Sequence, residues 1–279
     1  MSRYGICFLD SAPSVSEAIS KLNGISKSQL IKRGISKKFL NTSVERTQYV
    51  EFPLDVLNFG KINPVYHGHP VSIIKETETV LALNKPSQIY CHPLRYEESD
   101  NILSYLRAQG RQDILQVNHS NYDRGLLYRL DYETSGLLLM AKDNATWKFV
   151  RDNFHSLTKE KSYLAEVRGK LFEQMSLTHR LKPSGERGSF IKEASDGKVA
   201  NIQVFPIEAL ESSTIVEVQL KEGLRHQIRA QLSLAGFPII GDPLYGDSEK
   251  DDILRLHCWK YEIDTIGKFQ GEYPSWYTP

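Results

Sequence analysis

Five consecutive apolar residues, Leu137-Leu138-Leu139-Met140-Ala141, follow directly on Thr134-Ser135-Gly136. A short continuous apolar run has no polar face to offer water, so it reads as a strand buried inside a sheet. The turn-forming Thr-Ser-Gly fixes where that strand begins. It therefore holds Arg129 and Asp131, in Tyr128-Arg129-Leu130-Asp131, at the strand's mouth, on the edge of the core. Taken alone, an Arg-x-Asp of this kind is most simply an ion pair closing a strand end.

A second stretch changes that reading. Gly223-Leu224-Arg225-His226-Gln227-Ile228-Arg229 runs into Ala235-Gly236-Phe237-Pro238, and Gly241-Asp242-Pro243-Leu244-Tyr245-Gly246 follows. Upstream stand Val80-Leu81-Ala82-Leu83-Asn84-Lys85-Pro86 with His92-Pro93, then Lys161-Ser162-Tyr163, and towards the end Leu256-His257-Cys258. Together with Arg129-Leu130-Asp131 these five blocks, in this order, resemble the RluA-type RNA pseudouridine synthases from about residue 70 to about residue 260. Two positions depart from the family's pattern. Tyr128 stands where the family usually has His, and Leu224 where a basic residue usually follows the glycine, with Arg225 one place later. Neither falls on the expected nucleophile or its partner.

The resemblance implies an α+β catalytic domain over 66–279, with a long, mixed, mostly antiparallel sheet, flanking helices and a central cleft holding Asp131. It implies isomerisation of uridine to pseudouridine in structured RNA, ribosomal or transfer, with no cofactor; separately, no sustained heptad or exposed apolar stripe in the sequence asks for a dimer, so a monomer is expected. Asp131 is then the catalytic carboxylate, able to serve as nucleophile or base at the sugar. Arg229 is its expected partner, since a nearby guanidinium lowers a carboxyl pKa and can orient both oxygens. Tyr163 would offer an aromatic face to the target base. Arg129 would fill the space left by a flipped uridine, with Tyr128, Lys161, Arg225 and Lys85 as further RNA contacts. His226 is expected to make a structural hydrogen bond, and Ile228 or Leu137 to wall the pocket.

Residues 1–65 read as a separate basic extension. Between Lys21 and Arg46 stand Lys21, Lys27, Lys32, Arg33, Lys37, Lys38 and Arg46 against the single acid Glu45. That density suits a phosphate-binding face, with Lys32 and Arg33 as contacts, and equally a solvated helix pair. Ser14 with Glu17, and Ser26 with Gln29, are capping-box pairs opening two short helices; Gly34 is a natural stop for the second. The segment Ile25 to Gly34 resembles a degenerate S4 RNA-binding module. The stretch Pro53 to Pro70 reads as a connection.

The remaining features bound the class. A formal net charge of +1 means that any RNA surface comes from local clustering. Three scattered cysteines, Cys7, Cys91 and Cys258, speak against a disulfide framework or zinc cluster and fit a reducing cytoplasm. No apolar run suits a signal peptide or a membrane span. Val15, Ala18, Ile19 and Leu22 predict one helix face, and Trp147, Val150, Phe154 and Leu157 predict another, capped by Asn144. Thr214–Leu220 alternates as a half-buried strand, residues 181–200 suit a hairpin, and 226–235 predict a helix closed by Gly236 with Arg225 and Arg229 one turn apart. Two other readings stand beside isomerisation: an RNA-binding protein that keeps the fold with little turnover, and a metal-dependent nuclease recruiting Asp242 and Asp247. The latter lacks any His/Cys/carboxylate cluster with ligand spacing.

Overall fold

In a computed structural model, which describes residues 3–246 and 253–279, the Leu137 run is a central strand of a large sheet. The chain divides into two compact units: Met1–His67, His92–Gly110 and Ser120–Tyr122 form the first, and Gly68–Cys91, Arg111–His119 and Asp123–Pro279 the second.

In the first unit β1 (Arg3–Cys7) pairs antiparallel with β2 (Tyr49–Pro53), accompanied by α1 (Val15–Asn23), α2 (Lys27–Lys32), α3 (Lys37–Leu40), α4 (Leu54–Leu57) and α5 (Ile102–Ala108). Helices this short are unstable alone, so caps and burial hold them. Ser26 and Gln29 form the reciprocal capping box, Ser14 accepts from the Glu17 amide, and Ser36 caps α3. Val15, Ile19, Ile25, Leu30, Leu40 and Phe52 make the core, while Leu22, expected on the buried face of α1, is 62% exposed. The stretch after Pro53, expected to be a plain connection, begins as helix α4. The reason is Asp55, buried there as acceptor of Arg33 Nε and, at 2.8 Å, of the Tyr96 amide.

The second unit contains β3 (Ser72–Glu76), β4 (Val80–Lys85), β5 (Ser135–Ala141), β6 (Thr158–Arg168), β7 (Met175–Ser184), β8 (Phe190–Glu193), β9 (Lys198–Ala209), β10 (Ser213–Leu220), β11 (Leu256–Ile263) and β12 (Gly267–Gln270). They make one sheet in the order β3-β4-β5-β11-β6-β10-β9-β7-β8, with β12 on β11. Among these neighbours every pair is antiparallel except β5–β11. The helices are α6 (Gln112–Leu115), α7 (Asn144–Asp152), α8 (Phe154–Leu157) and α9 (Gln227–Leu234). No helix among the described residues is long and apolar enough to cross a membrane.

Both faces of the sheet's middle are covered at the start of β10, where Thr214, Ile215 and Val216 are all buried, while from Val216 to Leu220 the expected alternation holds, with Glu217 and Gln219 half-buried. Val216 and Val218 pack with Ile228 and Leu232 of α9, and Ile215 packs with Leu164, Trp259 and Tyr277 on the other face. Helix α9 starts one residue later than expected because His226 is left-handed, at φ 49°. Arg225 thus precedes the helix and does not stack one turn from Arg229. Asp143, not Asn144, caps α7, accepting from the Thr146 amide at 2.7 Å, and the predicted Trp147-to-Leu157 face breaks at Asn153.

Gly136 is where β5 joins β11. Its φ of +109° suits only glycine, and an added Cβ would lie 2.2 Å from the Cys258 carbonyl oxygen and 2.7 Å from its nitrogen. Both contacts are backbone in the sheet interior, so neither can swing aside. Gly136→Ala is therefore expected to destabilise the fold by about 3 kcal/mol or more, read as a drop in the urea midpoint. An unchanged midpoint would show that the two strands are not held this closely.

Candidate active site

Asp131 lies on the loop entering β5, and that loop is tied down residue by residue. The Leu130 amide donates to Cys91 Sγ at 3.3 Å, and the Cys91 thiol returns a contact of 3.4 Å to the Leu130 carbonyl. Lys85 Nζ donates to the Tyr132 carbonyl at 3.3 Å, and Ser87 Oγ donates to that of Glu133. Ser135 Oγ sits 2.9 Å from His257 Nδ1, whose Nε2 lies 3.0 Å from the Glu272 carbonyl. A carbonyl can only accept, so Nε2 carries the proton and Nδ1 accepts from the serine. Burial pushes His257 down to about 4, keeping the ring neutral in this role.

The Asp131 side chain is 30% exposed, and the His226 backbone N–H donates to it. His226 Nε2 stands 3.9 Å from its Oδ2. Tyr245 Oη accepts from the Ile191 amide at 2.6 Å and pairs with His226 Nδ1 at 3.1 Å, which fixes the plane of the imidazole beside Asp131. Burial and the charges of Arg229 and Arg225 push His226 down to about 4. Burial also raises the Asp131 carboxyl, and the fields of Arg229, Arg225 and Lys85 offset this only in part.

Arg229 is fully buried, and here the structure corrects the expected pairing. Its Nε and Nη2 bond bidentately to Asp242, at 2.9 and 2.8 Å, and its Nη1 donates to Glu133 Oε2 at 3.2 Å. Asp242, equally buried, also accepts the Leu244 and Tyr245 amides at 2.9 and 3.1 Å. A buried guanidinium needs a counter-charge at bonding distance. Asp242 supplies it, and Arg229 reaches Asp131 through its field rather than as the bidentate partner. Asp242 and Glu133 are thus the members of the site that sequence reasoning missed. In the sequence Asp242 suggests only a metal ligand; Asp247, its companion in that reading, lies outside the described residues.

Three expected RNA contacts are interior. Lys85 is wholly buried, its Nζ donating to the Pro86, Ile89 and Tyr132 carbonyls at 2.9, 2.8 and 3.3 Å, and burial lowers it to about 8. With all three protons committed it clasps loops instead of binding phosphate. Lys161 is buried too, donating to the Lys221 and Glu222 carbonyls at 2.9 and 3.3 Å and standing 4.9 Å from the centre of the Phe154 ring. Tyr128, 7% exposed, stacks on Tyr261 with centroids 4.2 Å apart and donates to the Leu137 carbonyl at 2.8 Å. It fills the core where a surface contact was expected.

Tyr163, on β6 opposite Cys258 of β11, is half-buried within the field of Asp131, and burial keeps it a neutral phenol. Arg129 and Arg225 are exposed, and Arg225 donates to the Gly188 and Ser189 carbonyls at 2.7 and 3.3 Å. Lys32 and Arg33 belong to the first unit. Lys32 is exposed there, but Arg33 is bound to Asp55, with its guanidinium 5.1 Å from the centre of the Phe59 ring, and is a structural ion pair.

The two site histidines dictate an acid limit. Their folded pKa values, about 4, lie below the unfolded 6.5, so the unfolded chain takes up protons first as pH falls. The stability they provide is complete above pH 6.5 and is lost progressively towards pH 4, on the order of 3 kcal/mol for each. Urea midpoints across this range should fall steeply in wild type and less steeply in His257→Gln; parallel slopes would contradict the assignment.

The family described as RNA pseudouridylate synthase matches residues 79–234. A ribosomal large subunit pseudouridine synthase D of Borreliella burgdorferi is 31% identical over 217 residues, covering 74% of this chain and 66% of the relative. A ribosomal large subunit pseudouridine synthase C of Pasteurella multocida is 30% identical over 256 residues, covering 84% and 74% respectively. Among solved structures, human RNA pseudouridylate synthase domain containing 1 superimposes with a TM-score of 0.61 at 19% identity, covering 75% of this chain and 85% of that one, which is a likeness of fold. With the blocks read from the sequence and the mixed sheet that carries them, these matches make the chain a member of the RluA-type RNA pseudouridine synthases.

Proposed function

We propose that the protein isomerises particular uridines of structured RNA to pseudouridine, with Asp131 as the catalytic carboxylate. The reaction breaks the bond between N1 and the ribose C1′, turns the uracil, and joins C5 to C1′. A proton leaves C5 and one is gained at N1, so atoms and charge balance without a cofactor. What this asks of a protein is an anionic group at the ribose, a dry pocket that retains a detached base, and polarity fixed in advance.

The observation that carries the reading is the Asp131 carboxylate itself. It is half-buried, it is held by the His226 amide, and it lies in the field of an arginine whose own hydrogen bonds are spent on Asp242 and Glu133. Arg229 therefore stabilises negative charge at Asp131 without moving, whichever oxygen of the carboxylate reacts. Tyr163 supplies an aromatic face to the uracil, and Arg129, exposed on the same loop as Asp131, fills the space left by the displaced nucleotide. The exposed Lys27, Lys32, Lys37 and Lys38 give the first unit a phosphate-binding face. Ribosomal RNA is the substrate to test first, since the relatives named above are synthases of the large ribosomal subunit.

Asp131→Asn should lower pseudouridine formation by on the order of a thousandfold or more while RNA binding persists. Pseudouridine maps of total RNA from wild-type, deleted and Asp131→Asn cells are expected to lose the same one or few sites in both altered strains. Loss in the deletion alone would remove Asp131 from the chemistry, and loss in neither would favour binding without turnover. A raised folded pKa means the carboxyl favours the fold when protonated and burdens it when charged, as pH rises through that pKa. At pH 7 the Asp131→Asn protein is therefore expected to have the higher urea midpoint.

A further inference from the structure

Tyr90 and Tyr132 lie against each other with ring centroids 4.6 Å apart and planes at 41°, yet they are 48% and 39% exposed. Two touching aromatic rings that leave this much surface in water add little to a core. Their backbones are nevertheless fixed more firmly than surface loops require. Lys85 Nζ clasps the carbonyls of Ile89, which precedes Tyr90, and of Tyr132 itself, at 2.8 and 3.3 Å. Ser87 bonds Glu133, and Cys91 exchanges contacts with Leu130. Three ties thus staple the two loops around the two rings. Tyr132 is also the residue directly after Asp131, and the exposed Arg129 stands three residues before it.

We infer that Tyr90 and Tyr132 form a stacking surface for an unpaired nucleobase next to the uridine that reaches Asp131, an inference resting on the isomerase reading above. A nucleobase is the occupant that suits the place: its flat face matches an exposed aromatic surface, and its phosphate brings the negative charge that Arg129 and Arg225 attract. Because the rings are already positioned, little ordering entropy is lost when the base arrives. Stacking tolerates any base, so the pair orients the strand rather than reading its sequence.

The probe is a short oligouridylate with one 2-aminopurine beside its central uridine, whose emission responds to stacking. It is titrated with the full chain carrying Asp131→Asn, so that binding is read without turnover. The same protein is then further changed to Tyr90→Ala with Tyr132→Ala, or to Tyr90→Phe with Tyr132→Phe. The phenylalanine pair is expected to keep affinity and emission change, and the alanine pair to lose the emission change and bind about tenfold more weakly. Alanine-pair binding within twofold, with emission unaltered, would overturn the inference, as would an Asp131→Asn protein that leaves the probe's emission unchanged. Tyr132→Ser alone gives the same reading should the double substitution loosen the loops. The pseudouridine map depends on turnover and this titration does not, so failure of either proposal is seen separately.

Discussion

A fully buried guanidinium is the constraint from which the site is built. Arg229 sits on α9 against the centre of the sheet, and removing its charge from water is costly unless bonded acceptors surround it. Asp242 meets two of its nitrogens and Glu133 a third. Satisfying Arg229 therefore recruits the turn after Gly241 and the loop that carries Asp131, fixing both to one helix. Gly241 lets the start of that turn pass close to the backbone at Ile253: at φ +76°, an added Cβ there would lie 2.1 Å from the Ile253 carbonyl oxygen.

Asp131 occupies the one place in that arrangement where charge is influenced without being saturated. Its neighbours offer a backbone N–H, a neutral imidazole and three cationic fields, and burial still keeps the carboxyl raised. Such a group is left without a settled ion pair. The stability forgone at Asp131 is set against the satisfied network around Lys85, Arg229, Asp242 and His257, which holds the loop and the turn around it.

Much of this was legible in the sequence wherever a residue's role follows from local pattern. The apolar run of β5, the capping box of α2 and the helix closed by Gly236 all follow from periodicity and turn chemistry. The misread residues share a different property. Lys161 and Arg33 are basic side chains whose partners are carbonyls or a carboxylate distant in the chain, and Lys85, besides its nearby Pro86 and Ile89 acceptors, reaches the distant Tyr132 carbonyl, so the local pattern does not reveal that they face inwards. Tyr128 is a polar-tipped aromatic whose partner, Tyr261, lies on a strand far along the sequence. The left-handed His226, which sets the start of α9 and turns its amide to Asp131, has no marker in a block lacking glycine at that point.

The parallel junction of β5 with β11 joins Ser135 and Gly136 to His257 and Cys258 across 122 residues. Contacts so distant in sequence form late, because a long loop must close before they are made. On a ribosome, the ties from Lys85, Ser87 and Cys91 can form first, while the Ser135 end of the Asp131 loop waits until β11 has emerged. The nascent chain thus carries Asp131 well before β11 completes the frame around it, and the loop's full geometry arrives only with that strand.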